Sequence, residues 1–194
     1  MKSVMYGVGV FWFAGGIEVF INGFLWTATE NMTLWDTTAM AFLGAAIPEE
    51  VVKLFALRWI LRRNPYFDEH VDGIVYAVCI GLGFAAMENI GYVAMEEDDW
   101  LTVAIARALL VVPGHYAFAV LMGYYYSIYH FIDHSWETRI KILLVPILAH
   151  GIYDSLAMIG MTNPAVGGVC AIVLVVFCIK MHKFAYKKLM EQIE

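Results

Sequence analysis

The sequence predicts an all-α fold, a polytopic transmembrane helix bundle of about six spans with the fourth broken at Pro113 and both termini cytoplasmic. Three observations support this. Of 194 residues, 61 % are hydrophobic and only 15 % charged, well below the charged share of about 25 % in soluble domains. Apolar runs of about 20 residues, long enough to cross about 30 Å of hydrocarbon, recur from end to end. The Lys and Arg residues outside those runs all fall on one side of the implied membrane. The length suits one transmembrane domain over residues 1–194. A net charge of −6 and the lack of any basic tract argue against nucleic acid as a partner. Cys79, Cys170 and Cys178 lie in apolar runs without C-x-x-C spacing and read as packing residues.

The first span covers about 4–28. It is too long for a signal peptide, lacks an A-x-A cleavage pattern and contains Glu18, so it reads as a mature helix. Glu18 and Asn22 are four apart and share a face, which should turn inward to a structural hydrogen bond. Loop 29–36 carries Trp35 as an interface anchor, and Asp36, Thr37 or Thr38 caps the second helix.

The second span, about 38–61, contains Pro48, Glu49, Glu50 and Lys53 at mid-membrane. Proline removes a backbone donor and should kink the helix or open its ladder. Each intramembrane charge costs at least about 2.5–3.5 kcal/mol, so three together mark a functional site facing the protein interior or a wet cavity. Arg58, Arg62, Arg63 and Asn64-Pro65 end the segment, and 64–72 is a polar loop. The third span, about 73–95, has Gly73, Gly81 and Gly83 for close helix approach and carries Glu88 and Asn89. Acidic residues 96–99 close it as a solvated loop.

Residues 100–132 would make a helix about 50 Å long, too long for one straight span. Pro113-Gly114 supplies the expected break, with Arg107 in the first piece (100–112) and His115 opening the second (114–132). Tyr124, Tyr125, Tyr126 and Tyr129 mark an interfacial end. Ser135 caps the fifth span, about 136–159, with Glu137 in its first turn and His150 and Asp154 further along. A turn at 160–164 leads to the last span, about 165–182, which ends among Lys180, Lys183, Lys187 and Lys188.

With six spans, Lys2, Arg58/Arg62/Arg63, Arg139/Lys141 and the C-terminal lysines share one side. Loops 29–36, 96–99 and 160–164, on the other side, contain no Lys or Arg. That orientation puts Glu49 and Glu50 about 17 Å, Glu88 about 10 Å, His150 about 15 Å and Asp154 about 8 Å from the outer helix ends. Polar residues of four helices thus converge on the middle and outer half of the membrane. Lys53 can pair with Glu49 (i, i+4) or Glu50 (i, i+3), and Asp154 can hold the His150 imidazole one turn away. Carboxylates in low dielectric serve as general bases, and histidines donate to an oxyanion or carry a metal. Ser127 and Ser155 lie in no nucleophile motif. This set fits water attack on a carbonyl. It equally fits a proton- or ion-coupled transporter or binding protein using the same polar cavity.

Four short motifs carry a resemblance. Glu49-Glu50-x-x-Lys53, Phe84-x-x-x-Glu88-Asn89, Pro113-Gly114-His115 with Arg107 ahead of it, and His150-x-x-x-Asp154 resemble, in order, the motifs of PrsW-type intramembrane proteases. The wider superfamily of CAAX-prenyl endopeptidases and Abi proteins shows E-E-x-x-x-R and F-x-x-x-H. Here Lys53 follows Glu50 by three, and Glu88 stands in place of that histidine. The first and last spans match no motif.

The resemblance implies an intramembrane endopeptidase in the prokaryotic plasma membrane. It would make a site-1-type cut near the extracytoplasmic side of a membrane-anchored substrate such as an anti-sigma factor, in signalling. By analogy Glu49 or Glu50 activates water, His115 and His150 polarise the carbonyl or bind metal, and Glu88 and Asp154 orient or ligate. Lys53, Asn89 and Arg107 support them, Lys53 as the counter-charge that keeps one carboxylate ionised. Relatives have been classed both as metalloproteases and as glutamate proteases. No H-E-x-x-H occurs. Glu88, His115 and His150 would form a His₂Glu set for zinc, with Glu49 as base. The dispersal of these single ligands favours metal-independent glutamate chemistry.

Overall fold

A computed structural model describes residues 1–25 and 33–193. The helices are α1 Lys2–Leu25, α2 Leu34–Ala39, α3 Ile47–Leu61, α4 His70–Met95, α5 Trp100–Ala106, α6 Val112–Phe131, α7 Trp136–Thr162 and α8 Pro164–Ile193. Two π-helical turns, Met40–Ala46 and Arg107–Val111, join α2 to α3 and α5 to α6. The described residues contain no strand. The expected end of the first span (26–28) and start of the following loop (29–32) lie outside the described residues.

Among the described residues, five helical segments are long and apolar enough to cross a membrane: Lys2–Phe24, His70–Met95, Trp100–Phe131, Trp136–Thr162 and Ala165–Ile193. The path from Leu34 to Leu61 is also continuous helix, about 42 Å long, and differs in holding Glu49, Glu50 and Lys53 at its centre. The molecule is inverted in polarity relative to a soluble fold. Trp12, Phe13, Phe20 and Phe24 of α1 are 69–76 % exposed, while Glu49, Glu50, Lys53, His115 and His150 are each 5 % exposed or less. Lipid as the outer solvent explains both halves of that pattern. The chain is a multi-pass membrane protein.

α4 and α6 form the most extensive helix pair, with α1 against α4, and α7 between α6 and α8. Small residues permit this. A Cβ on Gly123 of α6 would lie 2.5 Å from the Gly73 carbonyl oxygen and the Ile74 Cα of α4. Gly81 of α4 faces Ala119 and the His115 carbonyl of α6, which draws the backbones of two site-bearing helices together.

Pro48 and Pro113 are each handled by a widened turn. Ile47 N–H donates to Phe42 O and Val112 N–H to Arg107 O, each five residues back and each just before a proline. The extra residue relieves the clash between the proline ring and the carbonyl four residues back. For Pro48 that carbonyl is Gly44 O, which accepts a long hydrogen bond from Asn22 Nδ2 of α1 at 3.4 Å. Asn22 thus makes the inward bond expected of its face, and Glu18 makes none among the described residues. At Pro113 the chain does not split into two pieces. Residues 100–131 run as one helical path, and the irregularity lies at 107–111, one turn before the proline.

Two details correct the boundaries expected from sequence, and a third agrees with it. Thr33 caps α2, its Oγ1 accepting from Asp36 N–H at 3.2 Å, while Asp36 is the third helical residue and accepts from Thr33 N–H at 2.9 Å. Ser135 caps α7 as expected. α8 runs on to Ile193, well past the span end expected at about 182, and its end is tied to α6 by Tyr124 Oη donating to Glu191 at 2.8 Å.

Candidate active site

The π turn before Pro48 starts α3 so that Glu49, Glu50 and Lys53 all turn inward in its first two turns, every one of them buried. Lys53 is the hub. Its ammonium donates to Glu49 Oε2 at 2.8 Å, to Glu50 Oε1 at 2.9 Å and to His115 Nδ1 of α6 at 3.1 Å. The Phe84 ring of α4 lies under the same nitrogen, 4.1 Å from Nζ to the centroid. The first two contacts follow from helical spacing; the third crosses 62 residues of chain.

Two arms leave the hub. On one, Glu50 Oε1 also faces His150 Nδ1 of α7 at 2.9 Å. His150 Nε2 lies 3.2 Å from Asp154 Oδ2 and 4.0 Å from Glu49 Oε2. On the other, His115 Nε2 meets Glu88 Oε2 at 2.8 Å, and Glu88 Oε1 accepts from Arg107 Nη2 at 2.7 Å. Arg107 Nε donates to Asn89 Oδ1 at 2.7 Å. Glu49, Glu50, Lys53, Glu88, Asn89, Arg107, His115, His150 and Asp154 therefore form one continuous network, contributed by α3, α4, α6, α7 and the second π turn.

These contacts assign protons. An ammonium only donates, so His115 Nδ1 accepts from Lys53 and its Nε2–H donates to Glu88. Both ring nitrogens of His150 face carboxylate oxygens, so that arm needs a proton on each nitrogen or one on a carboxyl group.

Exposure grades across the site. Glu50 has none and Glu49 retains 5 %. The side chains of Glu88, Arg107 and Asp154 keep 16 %, 14 % and 22 %. The network therefore has a closed floor at Glu50 and an open rim, with Glu49 the less enclosed of the two adjacent acids.

Phe118 and Tyr92 were missed at the sequence level. Phe118 stacks on His150, with centroids 4.6 Å apart and planes at 18°, and Tyr92 lies 3.8 Å beneath the Arg107 guanidinium. The signal for Phe118 was present: it follows His115 by three residues on a helix and so shares its face.

A family model described as PrsW family intramembrane metalloprotease matches residues 1–181. The chain belongs to the PrsW family. Proteins named Protease PrsW are similar to it: that of Clostridioides difficile strain 630 is 40 % identical over 124 residues, 62 % of this chain and 52 % of the relative. That of Geobacillus kaustophilus is 40 % identical over 125 residues, with the same shares. That of Bacillus subtilis strain 168 is 39 % identical over 119 residues, 59 % of this chain and 52 % of the relative. The chain spans about half the length of these curated relatives. No solved structure matches it.

The PrsW family description includes a metal, and the donors here bear on it. Among the described residues, the donor set that converges is Glu49, Glu50 and His115, whose ligand atoms all lie within 4.8 Å of one another. Each has an atom within 3.1 Å of Lys53 Nζ. Glu88 spends one oxygen on Arg107 and the other on His115, and both His150 nitrogens face carboxylates. With Lys53 in place, these residues do not fit a resident metal ion.

Proposed function

We propose that this chain is an intramembrane endopeptidase that hydrolyses a peptide bond of a membrane-anchored protein with water activated by Glu49. The observation that carries this reading is the position of Glu49. It keeps a small accessible area, its Oε2 is held by Lys53 at 2.8 Å, and the same oxygen is 4.0 Å from His150 Nε2. A base and a hydrogen-bond donor for the carbonyl oxygen are thus side by side in a site shielded from bulk water.

In this reading Glu49 takes a proton from water as the water oxygen attacks the carbonyl carbon. The developing oxyanion shares the His150 Nε2–H with Asp154 Oδ2, which lies 3.2 Å from that nitrogen. Glu49 then returns the proton to the amide nitrogen as the C–N bond breaks. Glu50, fully buried and bonded to both Lys53 and His150, positions those two groups. Glu88 and Arg107 orient His115, which in turn accepts the third N–H of Lys53. Asp154 holds His150 from the rim. No step requires a metal.

Placed with six spans, both termini cytoplasmic and one domain over 1–194, the rim opens toward the extracytoplasmic half of a prokaryotic plasma membrane. That suits a site-1-type cut in an anti-sigma-factor-like substrate, the class that the motif resemblance implies. The name Protease PrsW, carried by the relatives, supports the proteolytic part of the reading. The test is cleavage of a membrane-anchored substrate in proteoliposomes. Glu49→Gln should slow it about 10²–10⁴-fold while inserting and folding. Full activity in a Glu49→Ala/Glu50→Ala chain would overturn the reading.

A further inference from the structure

We infer that Lys53 is the resident cation of this site, its ammonium filling the position that a divalent metal would take among Glu49, Glu50 and His115. The native chain then holds no tightly bound metal, and removing the ammonium creates a metal site. This rests on reading the cluster as the active site, but its test needs no substrate.

The stoichiometry of donors and acceptors is the first argument. An ammonium has three N–H groups. Lys53 Nζ finds three acceptors, at 2.8, 2.9 and 3.1 Å, on Glu49, Glu50 and His115. These are the same three side chains whose ligand atoms converge within 4.8 Å. Two carboxylates and one imidazole lone pair are also a donor set of the kind that holds catalytic zinc, with three protein ligands and a fourth position open. The ammonium uses the lone pair of His115 Nδ1, which the Nε2–H bond to Glu88 leaves on that nitrogen.

Packing is the second argument. Lys53 is 4 % exposed and Phe84 closes the face of the ammonium, so the nitrogen cannot swing out to water without breaking three bonds and a cation–π contact. A divalent ion entering beside it would put two cations in one shell of low dielectric, against two carboxylates. The tethered charge excludes the free one. It also supplies part of what a metal would, by neutralising one carboxylate and leaving net negative charge for the base.

The experiment is metal analysis of detergent-purified chain incubated with zinc chloride and passed over chelating resin. Wild type should retain less than about a tenth of a zinc ion per chain, and Lys53→Met, which keeps the apolar stem and removes the charge, about one. Lys53→Met/His115→Ala should fall back to the wild-type level. With cobalt, Lys53→Met should show the visible absorption of a low-symmetry site. About one zinc in wild type, lost on His115→Ala, would overturn the inference, as would a folded Lys53→Met that takes none. If Lys53→Met does not fold, the wild-type measurement decides alone, tight zinc overturning the inference and its exclusion supporting it. A chain that excludes zinc yet cleaves nothing would remove the protease reading and leave the cation assignment standing.

Discussion

Glu50 Oε1 and His150 Nδ1 are 2.9 Å apart with no solvent access at the carboxylate, which joins α3 to α7 across 100 residues of chain. The same oxygen also accepts from Lys53, so Glu50 answers two buried groups while Glu49 answers one firmly. This difference separates the adjacent acids by experiment. Removing one partner from a buried ionic set costs about 3–5 kcal/mol, because the other charges stay behind unpaired. Glu50→Ala should lower the melting temperature of the purified chain by many degrees and lose activity with the fold. Glu49→Gln, whose amide oxygen still accepts from Lys53, should lose less melting temperature than Glu50→Ala and about 10²–10⁴-fold in cleavage, the range a general base contributes. Thermal melts beside cleavage rates check the split, and equal melting losses in both variants would count against it.

The start of α7 offers a pH-dependent test away from the membrane interior. Asp133 accepts from Ser135 N–H at 3.0 Å, from Ser135 Oγ at 2.8 Å and from the Thr138 hydroxyl. Those bonds hold its carboxyl below the ordinary aspartate value. A lowered folded-state value means the stabilisation is fully present above the ordinary aspartate value and is lost as pH falls through the lowered one. Wild type should therefore lose more melting temperature than Asp133→Asn between neutral pH and about pH 3. Parallel slopes for the two proteins would show that these bonds do not contribute.

The site residues were legible because a charge in an apolar run announces itself, and helical spacing pairs Lys53 with Glu49 and Glu50 within one element. His115 and His150 were also named from sequence, but which group each one bonds was not legible, since the bonds from Lys53 to His115 and from Glu50 to His150 depend on helix rotation and register. The expectation at Pro113 missed for a different reason. A proline forbids one hydrogen bond, but whether the helix breaks or widens depends on the turn before it, and here Arg107–Val111 widens. That widening falls at the residue which reaches Glu88 and Asn89, so the irregularity serves the site. At α2, Thr33 and Asp36 form a capping box, and the expected cap is its inner member. The extent of α8 was underestimated because apolar length reports the membrane and not the helix, which continues through its lysine-rich end.

Close contact of α4 and α6 positions Glu88 against His115, so steric separation of these helices should reach the chemistry. In Gly123→Ala the new Cβ would meet the Gly73 carbonyl oxygen at 2.5 Å, a backbone atom that cannot swing aside. Overpacking of this kind costs about 1–3 kcal/mol. The expected result is a lower melting temperature together with a drop in cleavage rate, although Gly123 lies eight residues from His115. Gly168→Ala, on α8 with open space around it, is the control and should leave both unchanged.

Arg107 makes two directed bonds, Nη2 to Glu88 Oε1 and Nε to Asn89 Oδ1, each at 2.7 Å, with its plane over the Tyr92 ring at 3.8 Å. Lysine keeps the charge but has neither the fork nor the flat face, so it cannot satisfy Glu88 and Asn89 together. Glu88 is what His115 Nε2–H donates to, and His115 holds Lys53. Loosening Glu88 therefore acts at two removes from the bond being cut. Misplacement of a reacting group by a change remote from it can cost about 10²-fold. Arg107→Lys should lose about tenfold and Arg107→Met more, mainly in kcat, while KM for a membrane-anchored substrate changes little. A loss confined to KM would place Arg107 in substrate binding instead of in the chain of bonds that orients Lys53.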